Sequence, residues 1–101
     1  MSPRSMNNLA YLYRAQGKYE AAEPLYVQAL ELRQELLGER HPSVATSMNN
    51  LAVLYYYQNR YDESESLLSQ ALDIRESVLG IEHPDTVSTK ESLAYLRQNR
   101  S

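Results

Sequence analysis

The chain has 101 residues, a formal net charge of −3, 43% hydrophobic and 23% charged residues, and no cysteine. Such a length makes one domain, and the composition is that of a folded chain. Lack of Cys removes disulfides, thiolate nucleophiles and Cys-based zinc sites together, and the acidic balance argues against nucleic acid as a partner. Apolar runs stay far short of a membrane span. No charged-then-apolar leader opens the chain, so no secretory signal is expected, and a cysteine-free sequence fits a reducing cytoplasm.

The sequence is a repeat. Residues 5–46 read SMNNLAYLYRAQGKYEAAEPLYVQALELRQELLGERHPSVAT, and residues 47–88 repeat them with 20 of 42 positions identical. A third copy starts at Thr89 as TKESLAYLRQNR and reaches only the end of its first helix. The expected organisation is therefore a single domain of units 5–46 and 47–88 plus a partial, capping unit 89–101. A period of this size signals a solenoid, in which each unit buries its apolar face against the next.

Taken in order, Ser2-Pro3 falls outside the repeat register. It supplies a helix start, Ser as cap and Pro in the first turn, or it is an extraneous remnant. The first helix is expected over about 3–16, with Met6, Leu9, Leu12 and Tyr13 as its core stripe and Ala10 where a neighbour comes close. Gly17 breaks it. A second helix, about 19–37, carries Tyr19, Ala22, Leu25, Tyr26, Ala29, Leu32 and Leu36 at helical spacing, tolerates Pro24 near its start and ends at Gly38. Pro42 opens the next helix, whose stripe is Met48, Leu51, Leu54 and Tyr55. Asn59 then replaces Gly17, as Asn also accepts positive φ. Tyr61, Leu67, Leu68, Ala71, Ile74 and Val78 line the fourth helix, and a fifth, about 84–99, keeps Leu93, Ala94 and Leu96. Short connections make successive helices antiparallel neighbours.

Met6, Leu9, Ala10, Tyr13, Gly17, Tyr19, Ala22, Tyr26, Ala29 and Leu30 meet a known pattern: the chain resembles the tetratricopeptide repeat. Met6 and Met48 stand where that family often has Trp, and Gln34 where it often has a helix-ending Pro. The missing Pro goes with a longer second helix and a 42-residue unit. NNLA, QAL-x-(L/I)-R and LG-x-x-HP further resemble the repeats of kinesin light chain. The resemblance implies an all-α, right-handed alpha-alpha superhelix of about 2.5 repeats and five antiparallel helices. It also implies a concave groove, lined by successive first helices, that takes extended or helical peptides.

With the apolar stripe as core, the opposite face of the first helices holds Arg4, Asn7, Tyr11, Arg14 and Ala15, then Thr46, Asn49, Val53, Tyr56 and Tyr57, then Ser88, Glu91, Tyr95, Gln98 and Asn99. Asn8 and Asn50 fall at the edge. The candidate peptide-binding residues are Arg4, Asn7, Asn8, Tyr11, Arg14, Asn49, Asn50, Val53, Tyr56, Tyr57 and Tyr95. An Asn amide matches a peptide's N–H and C=O together, and exposed Tyr is enriched at recognition surfaces. Two plainer readings stand beside these: the Asn pairs are solvated polar residues inherited with the repeat, and one Tyr packs between adjacent first helices.

His41 and His83 stand one repeat apart without a carboxylate set, so they read as turn residues before the helix-opening Pro and not as metal ligands. No cofactor motif is present, and three glycines leave no room for a phosphate loop. Glu20, Glu23, Asp62, Glu63 and Glu65 fall at helix starts, where the helix dipole favours negative charge. First-helix segments carry +3 and second-helix segments −5. The sequence thus points away from an enzyme and toward a protein–protein interaction module. Arg4 and Arg14 give its peptide ligand a mild acidic preference. The alternative is a self-associating element that stacks through its open ends and leaves the groove idle.

Overall fold

A computed structural model describes residues 1–99. It consists of α1 (Pro3–Ala15), α2 (Tyr19–Leu37), α3 (Pro42–Tyr57), α4 (Tyr61–Leu79) and α5 (Pro84–Asn99), with no strand among the described residues. Each helix packs on its sequence neighbours, α1 and α3 also touch, and the stack measures 36 × 33 × 19 Å. The last two residues of the third unit, 100 and 101, lie outside the described range.

Helix starts follow from local hydrogen bonding. The Ser2 hydroxyl accepts from the Ser5 N–H at 3.2 Å and Pro3 follows it, so Ser2-Pro3 is a helix start. His41 and His83 cap α3 and α5 the same way. The Nδ1 of His41 accepts from the Ser43 N–H at 3.0 Å, and that of His83 from the Asp85 N–H at 3.1 Å. Gly38 and Gly80 end α2 and α4 at φ 88° and 93° with ψ near 159°, an extended positive-φ conformation open essentially to Gly alone. Asn59 holds φ 61° where the first unit has Gly17 at 78°.

The main core joins Ala10, Ala22, Tyr26, Leu30, Val44, Ala45, Met48, Leu51, Leu54, Tyr55, Ala71 and Ile74. A smaller one joins Ala52, Leu68, Leu93 and Leu96. Four residues assigned to the stripes are exposed instead. Leu12 is 55% exposed although its repeat counterpart Leu54 is fully buried: Leu54 packs into a core that includes α2 of the preceding unit, and no helix among the described residues covers Leu12 in that way. Ala94 is exposed where Ala10 and Ala52 are buried, because those two pack against the second helix of their own unit and no such helix follows α5 among the described residues. Leu36 and Val78 sit on the last turns of α2 and α4 with that face open to solvent.

Polar contacts lock unit to unit. Arg33 on α2 donates to the Ser43 carbonyl and the Ser47 hydroxyl, both at 3.1 Å. One repeat later Arg75 donates to the Asp85 carbonyl, to Thr89 Oγ1 at 2.6 Å and to Thr46 Oγ1 at 3.3 Å. Glu23 accepts from the Tyr55 hydroxyl at 3.2 Å and pairs with Arg60 at 2.9 Å. Arg60 also pairs with Glu63 and lies 4.0 Å over the Tyr55 ring. Glu23 therefore holds the two hairpins together in addition to sitting at a helix start, and Glu63 steadies Arg60 from within α4.

Candidate functional site

The register that buries Met48, Leu51, Leu54 and Tyr55 turns Asn49, Val53, Tyr56 and Tyr57 to the other side of α3, since residues three and four apart share a helix face. There they meet α5 and the start of α4. Between these helices lies a cleft of about 430 Å³ lined by Asn49, Ala52, Val53, Tyr56 and Tyr57 of α3, Ser64 and Leu68 of α4, and Glu91, Ser92, Tyr95 and Leu96 of α5. Five of the eleven candidate residues come together in it: Asn49, Val53, Tyr56, Tyr57 and Tyr95.

The tyrosines orient one another. The Tyr56 ring lies 6.5 Å from Tyr95 with planes 58° apart, 5.7 Å from Tyr61, and 5.8 Å from Tyr57 in an edge arrangement. Tyr57 stacks on Tyr19 at 6.2 Å with nearly parallel planes. The neighbouring Tyr95 hydroxyl holds the Tyr56 phenol above its ordinary range. Since Tyr56 on α3 touches Tyr95 on α5, packing between adjacent first helices and lining of the cleft are done by the same side chain.

Other candidates lie along α1. The Arg14 guanidinium sits 4.9 Å from the Tyr11 ring and 5.2 Å from that of Tyr57, cation–π distances that carry the aromatic surface from α1 to α3. Burial raises the Tyr26 phenol, and the nearby Arg14 guanidinium offsets part of that rise. Tyr11 is 54% exposed, and Arg4 and Asn8 are exposed. Asn7, expected on the open face, is instead buried, and its Oδ1 has no hydrogen-bond partner among the described residues. Asn50 is half-buried and stands outside the cleft lining.

Sequence reasoning misses the floor. Leu68 and Ser64 come from a second helix, and the family pattern places the groove on first helices alone. A signal for them exists in the repeat alignment. Leu68 occupies the position of Tyr26, whose larger side chain is almost fully buried in the first hairpin. The shorter residue leaves the corner between α3, α4 and α5 open. Ser64, replacing Ala22, donates to the Ala52 carbonyl at 2.7 Å, which satisfies its hydroxyl at the cleft base.

A family model of the tetratricopeptide repeat matches residues 2–77. The chain belongs to the tetratricopeptide-repeat family. Its repeats are of the kinesin-light-chain type. The chain is 33% identical to BtubC (BKLC) from P. vanneervenii, with a TM-score of 0.87 over 95% of this chain and 39% of that one. It is 30% identical to a Podosopora anserina putative kinesin light chain with nearly identical TPR-like repeats, with a TM-score of 0.84 over 94% and 45%. A mutant form of the latter gives the same TM-score at 29% identity. The chain spans less than half the length of each of these chains. The repeat fold is in general that of a protein–protein interaction scaffold. Among the described residues no cluster of His, Asp or Glu has the makings of a metal site, and no helix is long and apolar enough to cross a membrane.

Proposed function

We propose that this tetratricopeptide-repeat chain is a non-catalytic adaptor that holds a short segment of a partner protein along its concave face, with one side chain of that segment in the cleft between α3, α4 and α5. The observation that carries this reading is the cleft itself: three tyrosines, Val53 and Leu68 make an apolar wall, and the Asn49 amide stands at its edge with a donor and an acceptor for a peptide backbone. Along α1, Tyr11 and Arg14 extend the surface, and Arg4 and Arg14 favour carboxylates there. A cytoplasmic setting belongs to the same reading and is supported by the absence of Cys.

The test is an unbiased peptide screen followed by titration of Asn49→Ala and Asn50→Ala. Loss of one neutral hydrogen bond weakens binding by about 0.5–1.5 kcal/mol, expected for Asn49→Ala; Asn50→Ala, outside the cleft, is expected to leave affinity unchanged. Equal affinities for both variants and the parent protein would remove the groove from the binding site. A second reading, stacking of copies end to end, is favoured by the exposure of Leu12 at one end of the solenoid and of Val87, at 40%, at the other. Light scattering over a concentration series separates it: growth of the particle with concentration supports stacking, and a constant monomer excludes it.

A further inference from the structure

Resting on the groove reading, we propose that the cleft side chain of the partner is cationic, an arginine or lysine whose stem lies against Tyr56 and Tyr95 and whose charged head is met by Glu91. The two ends of the groove differ in charge. At the α1 end the charged groups are Arg4 and Arg14. Around the cleft, Glu91 is the one charged residue in the lining, and no Lys or Arg lines it.

The nearest cations of α5 do not neutralise it. Arg97 pairs with Glu65 of α4 at 3.1 Å, and Lys90 does not line the cleft. Glu91 is exposed and makes no ion pair with another described residue. It stands one turn before Tyr95 on the same face of α5, so a carboxylate and a π-face are presented together.

The ring geometry suits a cation. Tyr56 and Tyr95 stand 6.5 Å apart with planes 58° apart, an open corner and not a closed stack, and a cation within about 6 Å of a ring centroid is attracted by the negative π-face. The same principle is already at work in this surface, where Arg14 sits on Tyr11 and Tyr57. A long basic side chain buries its methylenes on apolar walls while its head stays polar. The cleft provides that wall in Val53, Ala52 and Leu68, with Asn49, Ser64 and Ser92 as polar groups at its margins. With carboxylates favoured at the α1 end and a cation at the α5 end, the ligand has a fixed direction along the groove.

The probe is N-acetyl-arginine methylamide, titrated against the full chain with tyrosine ring signals read by NMR, beside the leucine and glutamate methylamides. The arginine probe is expected to move Tyr56 and Tyr95 and to bind more tightly than either companion. Glu91→Gln is expected to weaken it about two- to five-fold, the worth of a partly exposed ion pair, and added salt to do the same. Tyr95→Leu is expected to cost a similar factor through lost cation–π attraction. Both residues are exposed, so circular dichroism is expected to be unchanged in both variants. Tighter binding of the leucine probe, or an arginine affinity indifferent to Glu91→Gln, overturns the proposal while leaving the groove reading intact. If screened peptides leave Tyr56 and Tyr95 unmoved but the arginine probe moves them, the groove reading falls and the cation site stands.

Discussion

α1 and α3 share the same six residues of the repeat, Ser-Met-Asn-Asn-Leu-Ala, at positions 5–10 and 47–52, yet they occupy different environments. Leu54 is fully buried and Leu12 is 55% exposed; Leu51 is 4% exposed and Leu9 is only half-buried. Nothing in the local sequence separates these pairs. What differs is the number of neighbours: among the described residues α3 packs against both α2 and α4, whereas α1 packs against α2 and only touches α3. In a solenoid the energetic weight of a residue is therefore set by its unit's place in the stack as well as by its type.

The strongest way to break that comparison is to truncate the paired leucines. Leu54→Ala is expected to cost about 2–5 kcal/mol, as buried leucines do, and Leu12→Ala about 0.5 kcal/mol or less, as surface changes do. Denaturant titration of both decides it, and equal losses would mean that α1 is enclosed in solution. Next in size are the arginines that tie units together. Arg75→Ala removes a buried guanidinium and its charged hydrogen bonds to Thr89, Thr46 and the Asp85 carbonyl, with an expected loss of about 1–3 kcal/mol; Arg33→Ala, half-buried, is expected to lose less by the same measurement.

Milder is the response to alkali. Burial raises the Tyr26 phenol, and burial with the Glu23 carboxylate raises that of Tyr55. A folded-state pKa above the unfolded one favours the protonated fold. That stability is fully present below the unfolded tyrosine pKa, about 10, and is lost as pH rises through the higher folded values. Spectroscopic titration beside circular dichroism is expected to show Tyr26 and Tyr55 ionising above the ordinary tyrosine range, with helix lost as they ionise. Smallest of all is Asn50→Ala, expected to shift stability by less than about 0.5 kcal/mol. A large drop in melting temperature would make this asparagine a structural element of the middle unit.

Helix positions were legible because Gly, Asn and Pro recur at each unit boundary and the apolar spacing is helical throughout. The family pattern was legible for the same reason, since it is written in the core residues that the repeat keeps. What could not be read was enclosure. Leu12 and Leu54, Ala94 and Ala52, and Asn7 and Asn49 are each identical in type and differ in burial. Groove residues on α3 were recoverable by helical register, which is why Asn49, Val53, Tyr56 and Tyr57 converge with Tyr95. Leu68 and Ser64 were not, because a cleft floor depends on what a shorter side chain leaves open between helices. The links made by Arg33, Arg75 and Glu23 were hidden too: a charged residue at a helical position gives no sign of which hydroxyl or carbonyl it will reach.

Arg33 and Ser47, like Arg75 and Thr89, are 14 residues apart, and this fixed separation bears on inheritance. Deleting residues 34–75 would join Arg33 to Glu76 and bring Thr89 to the position that Ser47 holds, a hydroxyl for a hydroxyl. Unequal recombination in whole 42-residue steps therefore re-creates the arginine and its acceptor wherever the crossover falls, whereas a step of another length that falls between the two leaves a guanidinium without its match. The gene is free to count its repeats up or down, but not to drift in their length.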